Sequence, residues 1–204
     1  MTLSQLEKVR LRSADEYSLE SRVGNTPLIR IRNVAAELAP DVRLFAKAEW
    51  FNPGGSIKDR PALSIIRAAL EQGRLPAGRR LLDSTSGNMG IAYATFGAAM
   101  GIPVTLCLPA NASPERISIL KALGAELLLT DPSAGSDGAI REAHRLAAQR
   151  PDLYWYANQY DNPANWQAHY LTTGPEILAQ TNGEITHLVV GLGTSGTMMG
   201  TGRY

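Results

Sequence analysis

From residue 80 onward, short apolar runs alternate with stretches of helical character, and few folds satisfy that alternation. The strand-like runs are "RLLD" (80–83), "PVTLCLP" (103–109), "AELLLT" (125–130), "LYWYA" (153–157) and "THLVVGLG" (186–193). Helices are expected between them, over 88–101, 113–124, 138–150 and 162–181, the last in spite of Pro175. The second carries the punctuation of a capped helix: Ser113 as N-cap, Pro114 at the first position and Gly124 as terminator. Strands that are apolar throughout and separated by helices point to parallel βαβ units, an α/β fold with helices on both faces of the sheet. Proline and charge interrupt the pattern at "QRPDLYW" (149–155), the expected domain crossing. The chain stops inside a helix opened by "VVGLGTSGTMMGTGRY", where a doubly wound sheet would not end, so a longer parent protein is expected.

Composition narrows the function classes. Net charge is +1, from 20 basic and 19 acidic residues spread evenly, which gives neither a nucleic-acid footprint nor an electrostatic membrane anchor. No apolar run approaches the roughly 20 residues needed to span a bilayer. "MTLSQLEKVRLRSADEY" (1–17) lacks the apolar core of a secretory signal, so a cytoplasmic location is expected. The single cysteine, Cys107, suits a reducing compartment and reads as a buried strand residue rather than a nucleophile. His144, His169 and His187 lack ligand spacing and read as structural, so no metal is expected.

Three segments carry chemistry. In "NPGGSIKDRPAL" (52–63), Pro53, Gly54 and Gly55 make a turn, Ser56 can cap the following helix, and Lys58 falls in its first turn. A positive helix end and partial burial both disfavour ammonium there, leaving an amine able to form a Schiff base with an aldehyde. Taken alone, the same lysine also reads as a solvated helical charge. In "DSTSGNMGIA" (83–92), Thr85, Ser86, Gly87 and Asn88 bring hydroxyls, N–H groups and an amide to a helix start. That is a site for a carboxylate, or an ordinary capped turn. In "GLGTSGTMMG" (191–200), the spacing Gly191-x-Gly193-x-x-Gly196 matches a dinucleotide fingerprint. The unit comes late, and the sequence ends before such an acidic residue could appear, whereas three hydroxyls among the glycines suit a single phosphate. A tight turn needing small residues is the plain alternative.

Together these stretches resemble the fold-type II pyridoxal-phosphate enzymes of the cysteine synthase and cystathionine β-synthase group, most closely the bacterial cysteine synthase B-like branch. The resemblance is carried by "GNTPLIR" (24–30), "KAEWFNPGGSIKDRPA" (47–62), "TSGNMGIA" (85–92), "NQYDNPANWQAHYLTTGPEI" (158–177) and "GLGTSGTMMGTGR" (191–203), in the family's order. It implies two doubly wound parallel-sheet domains of the tryptophan synthase β-like kind. Residues 41–150 would form the smaller mobile domain, and 1–40 with 151–204 part of the larger one, which would lack the family's C-terminal third. It implies that Lys58 holds pyridoxal 5′-phosphate and acts as acid and base at the substrate α-carbon. Gly193, Thr194, Ser195, Gly196 and Thr197 would cradle the phosphate, and Asn88 the ring oxygen. Thr85, Ser86, Asn88, Met89 and Gln159 would bind the substrate carboxylate. Met89 departs from the threonine usual in sulfhydrylases, and a thioether cannot donate to a carboxylate.

The function implied is β-replacement, forming L-cysteine from O-acetylserine or O-phosphoserine and sulfide, in a cytoplasmic homodimer. Related lyases such as cystathionine β-synthase or serine/threonine dehydratase share the lysine and the loop. A pyridoxal-phosphate-binding module without turnover and a dinucleotide-binding domain are the other readings.

Overall fold

The computed structural model describes residues 17–33 and 41–204. Residues 1–16, which carry most of the stretch read as lacking a leader, and residues 34–40 of the first domain segment lie outside the described residues.

Two short antiparallel strands come first, β1 (Leu28–Ile31) and β2 (Leu44–Lys47), with Leu28 opposite Lys47. Helix α1 (Asp59–Glu71) follows, and then the expected alternation: β3 (Arg80–Ser84), α2 (Asn88–Met100), β4 (Val104–Pro109), α3 (Pro114–Ala122), β5 (Glu126–Thr130), α4 (Gly135–Gln149) and β6 (Tyr154–Tyr156). The four later strands form one parallel sheet in the order β5-β4-β3-β6. The boundary expected at residue 150 falls inside this sheet, because β6 pairs with β3 from Arg80↔Tyr154 to Leu82↔Tyr156. α4 carries the chain from β5 at one edge of the sheet to β6 at the other, so the interruption at 149–155 is a helix-to-strand turn.

Side chains alternate across the strands and sort into two apolar layers. Leu81, Leu106 and Leu108 pack with Ile65, Ile66, Phe96 and Leu120 from α1, α2 and α3. Leu82, Cys107 and Tyr154 pack under Ala139 and Ala143 of α4. Burial pushes the Cys107 thiol up to about 12, as befits an inert strand residue. The small residues of α2 are a packing requirement: a Cβ at Gly97 would run into Val104, so glycine lets the helix lie against β4.

The stretch 162–181 is helical, as expected, but in three parts: α5 (Ala164–Ala168), a π-helical turn (His169–Thr173) and α6 (Gly174–Gln180). The widened turn ends just before Pro175, whose missing N–H and bulky ring a regular ladder would not accommodate. α5 packs on α1, and the last helix, α7 (Gly196–Arg203), packs on α5 and the π turn. The run 186–193 is not a strand. Residues 184–192 find no ladder partner among the described residues, and Val189 is 92% exposed. An apolar run becomes a strand only when a neighbour satisfies its backbone groups.

Candidate active site

α1 begins one residue after Lys58, which is itself the N-cap residue. The turn before it is closed by Gly55 N–H donating to the Asn52 carbonyl at 2.8 Å and Gly54 N–H donating to Asp59 Oδ2 at 2.5 Å. Ser56 does not cap α1 itself; its Oγ accepts from the Lys58 N–H at 3.2 Å and holds the approach to the helix. Lys58 Nζ makes no ion pair among the described residues; its partner is Thr194 Oγ1, at 3.4 Å. Burial lowers the lysine pKa by disfavouring the ammonium form.

Two residues on, Arg60 has the opposite surroundings. Its guanidinium donates to both oxygens of Glu49, at 2.8 Å each, and to both of Glu176, at 2.7 and 2.8 Å. Thr26 and Thr172 hydroxyls take further bonds from it, and Lys47 Nζ reaches Glu176 at 2.6 Å. Burial alone would raise both carboxyls. The Arg60 bonds overcome it, holding Glu49 below its ordinary value and Glu176 at about 2. This network ties the stretch around Thr26, β2, α1 and α6 into one frame behind the lysine.

The stretch after β3 forms the second part of the site. Thr85 N–H donates to the Cys107 carbonyl at 3.1 Å, and Thr85 Oγ1 accepts from Gly87 N–H at 3.2 Å. Asn88 is exposed at the start of α2, while Met89 is 3% exposed and belongs to the main core. The Met89 thioether is therefore turned to packing, and only its backbone N–H is left to serve a ligand. No hydrogen bond links Asn88 to Lys58 or to 193–197 among the described residues. Gln159 is brought to this stretch, with its N–H donating to Asp83 Oδ2 at 3.4 Å and Nε2 to the Ser84 carbonyl at 3.3 Å. Asp83 is fully buried; desolvation pushes its carboxyl up to about 7 despite the Ser84 N–H it accepts at 2.8 Å.

The glycine and hydroxyl loop is the third part. Ser195 takes the left-handed conformation, φ 62°, and turns the chain into α7. Gly196 and Gly200 lie so close to Asn165 and to the Trp166–Tyr170 backbone that a Cβ would collide, which seats the start of α7 against α5. A Cβ at Gly193 would meet nothing within 4 Å, so the loop's other side is open. Asn165 Nδ2 donates to Thr194 Oγ1 at 3.0 Å and to the Gln159 carbonyl at 2.7 Å. Thr197 Oγ1 lies 3.4 Å from His169 Nε2, whose Nδ1 meets Thr173 Oγ1 at 2.9 Å. Burial first, then the Arg60 and Lys58 charges, lower His169 to about 4, so its imidazole is neutral at pH 7.

The structure thus gathers Lys58, Thr194 and Gln159 around one polar chain and backs Thr197 with His169. Thr85, Ser86 and Asn88 stand beyond Gln159 at the end of β3. Sequence reasoning gave no role to Asp83, Asn165 or the Arg60 network and read His169 as structural only. Asn165 carried a signal, since asparagine is a poor helix residue and sits in a helical stretch. Arg60 carried none, because its carboxylates are 11 and 116 positions away. Among the described residues no group of three or more His, Cys, Asp or Glu gathers as metal ligands, and no helix is long and apolar enough to cross a membrane.

Known proteins resemble this chain over most of its length. A family profile described as "Pyridoxal-phosphate dependent enzyme" matches residues 19–204. A cysteine synthase of Aquifex aeolicus is 56% identical over 182 residues, covering 89% of this chain and 56% of that protein. The crystal structure of a cysteine synthase from Entamoeba histolytica superposes with a TM-score of 0.88 at 39% identity, covering 92% of this chain and 56% of the other. An O-ureido-L-serine synthase structure matches with a TM-score of 0.85 at 39% identity, over 92% of this chain and 58% of the other. The chain therefore spans little more than half the length of these relatives.

Proposed function

The chain belongs to the family of pyridoxal-phosphate dependent enzymes, and on that premise we propose that the full protein is a cysteine synthase. It would replace the β-substituent of an O-activated serine, O-acetylserine or O-phosphoserine, with sulfide to form L-cysteine. The observation that carries this reading is a desolvated lysine amine with no carboxylate partner, 3.4 Å from a hydroxyl of a glycine-rich loop.

The residues present fit the cofactor. An aldehyde needs an unprotonated amine, and Lys58 is one that burial favours. A phosphate needs N–H and O–H donors on a backbone it can approach, which Gly193, Thr194, Ser195, Gly196 and Thr197 offer at the start of α7. When bound, pyridoxal phosphate supplies an electron sink for the charge left at the substrate α-carbon. Lys58 Nζ takes the α-proton. Thr85, Ser86, Gln159 and the Asn88 and Met89 N–H groups would orient the substrate carboxylate, and the Asn88 side chain would hold the ring oxygen of the cofactor. Neutral His169 steadies Thr197 without placing a second cation beside Lys58.

In this reading the smaller domain, expected over residues 41–150 and completed by β6 of the same sheet, closes over the substrate carboxylate and excludes water. The reading extends to a homodimer in the cytoplasm, the latter supported by the free, buried Cys107. The similarity to an O-ureido-L-serine synthase favours a second reading, the same β-replacement with a nucleophile other than sulfide.

The test is borohydride reduction of the cofactor-supplied full protein followed by peptide mapping. A pyridoxyl group on Lys58 and loss of cysteine formation in Lys58→Ala are expected; an unmodified Lys58 peptide would refute the assignment. Assay with O-acetylserine and O-phosphoserine side by side identifies the leaving group, and a sulfide dependence of product formation separates the two readings.

A further inference from the structure

We infer that Asn165 is a positioning residue that aims the Thr194 hydroxyl proton at the cofactor phosphate and ties the phosphate loop to the Gln159 segment through a single nitrogen. The inference rests on the assignment of residues 193–197 to the phosphate.

Asn165 sits on α5, buried, and makes both its bonds through Nδ2: to the Gln159 carbonyl at 2.7 Å and to Thr194 Oγ1 at 3.0 Å. The carbonyl can only accept, so it fixes which end of the amide faces this way. The other end, Oδ1, is buried against Gly196 with no hydrogen-bond partner among the described residues. A buried amide with one orphaned atom is costly. Such a side chain earns its place through its donor end.

The consequence lies at Thr194. Its oxygen accepts from Asn165 Nδ2 at 3.0 Å, and Lys58 Nζ lies 3.4 Å from it. With the Asn165 N–H aimed at this oxygen, the O–H proton cannot point back along the same line. It is turned away from Asn165, free to meet the Lys58 amine or, when an anion arrives, a ligand oxygen beside the lysine. An anion gains from a donor already oriented before it arrives, since no ordering cost is added on binding. Because the same nitrogen holds the Gln159 carbonyl, the substrate-side segment and the phosphate loop keep a fixed relative position.

The experiment is cofactor titration of the full apo protein, followed by the spectrum of bound pyridoxal phosphate. Wild type, Asn165→Leu, Asn165→Asp, Thr194→Val and the two double variants are compared, with apo melting measured alongside. Thr194→Val and Asn165→Leu should each weaken binding by about tenfold, with no further loss when combined. Asn165→Asp, which can turn the Thr194 proton inward, carries the same test should Asn165→Leu fail to fold. Affinity within twofold of wild type in the Asn165 variants would overturn the inference, as would an equal loss in the Thr194→Val background. A lowered apo melting point with unchanged affinity would overturn it too, by making the role purely structural. If Thr194→Val binds as tightly as wild type, the phosphate-loop assignment itself fails.

Discussion

Lys58 and Arg60 stand two residues apart at the start of α1, and the fold treats these two cations in opposite ways. Arg60, whose side chain is 1% exposed, is enclosed by two carboxylates and two threonine hydroxyls. Lys58, half-buried, meets one hydroxyl. Burial would lower the pKa of either, but Glu49 and Glu176 reverse the effect for Arg60, while nothing reverses it for Lys58. The carboxyls repeat the contrast: Glu176, among cations, is held at about 2, while Asp83, without one, rises to about 7. Burial is therefore common to both regions, and the placement of counter-charge decides whether a group stays permanently ionised or becomes able to exchange a proton at neutral pH.

The largest test of this contrast removes Arg60. Arg60→Met leaves Glu49 and Glu176 buried without their shared partner and should cost about 3–5 kcal/mol of unfolding free energy, read by urea titration of the full protein. Arg60→Lys should recover only part of the loss, because an ammonium cannot engage two carboxylates in paired fashion. A Met variant as stable as wild type would show that the frame does not depend on the pairing.

Next in size is the dependence on pH. The Glu176 carboxyl is depressed in the fold, so its contribution is full above its ordinary value of 4.5 and is lost as pH falls towards about 2. The loss should be about 3 kcal/mol and should vanish in Glu176→Gln. Asp83 is raised from 3.8 to about 7, so its contribution is full below 3.8 and is lost as pH rises through 7. Asp83→Asn should flatten that opposite slope. Urea midpoints measured from pH 2 to 8 give both, and equal slopes in variant and wild type would contradict the surroundings described.

The smallest effect is expected at Arg145, which pairs with Glu142 at 2.6 Å on the exposed face of α4. Arg145→Ala should leave the urea midpoint unchanged within error, since water screens such a pair however short it is. A clear drop there would mean that distance, rather than burial, sets the worth of these pairs.

Much of the fold was legible because it rests on local rules. The alternation after residue 80 and the caps at Ser113 and Gly124 depend on neighbours a few positions apart, and the parallel sheet bears them out. The run 186–193 misled because a strand is a relation between two segments, and its apolar residues meet no partner strand among the described residues. The glycine and hydroxyl loop could be picked out by composition, and Lys58 by its odd position beside a helix start. Asp83 could not, since its partner Gln159 is 76 positions away, and Asn165 stood out only as an asparagine in a helical stretch, its partner Thr194 lying 29 positions on. Met89 stood out by its type, yet its side chain lies in the core, which no local pattern declares.

By itself, then, the sequence determined the order of elements, the α/β class and a short set of residues with suitable chemistry, because periodicity, capping and turn residues act within a few positions. Only the tertiary structure decided which of those residues meet and what charge surrounds them. Lys58 reaches Thr194 across 136 positions, and Arg60 reaches Glu176 across 116. Whether a buried cation is paired depends on such long-range contacts, and the pairing separates a structural charge from a reactive amine.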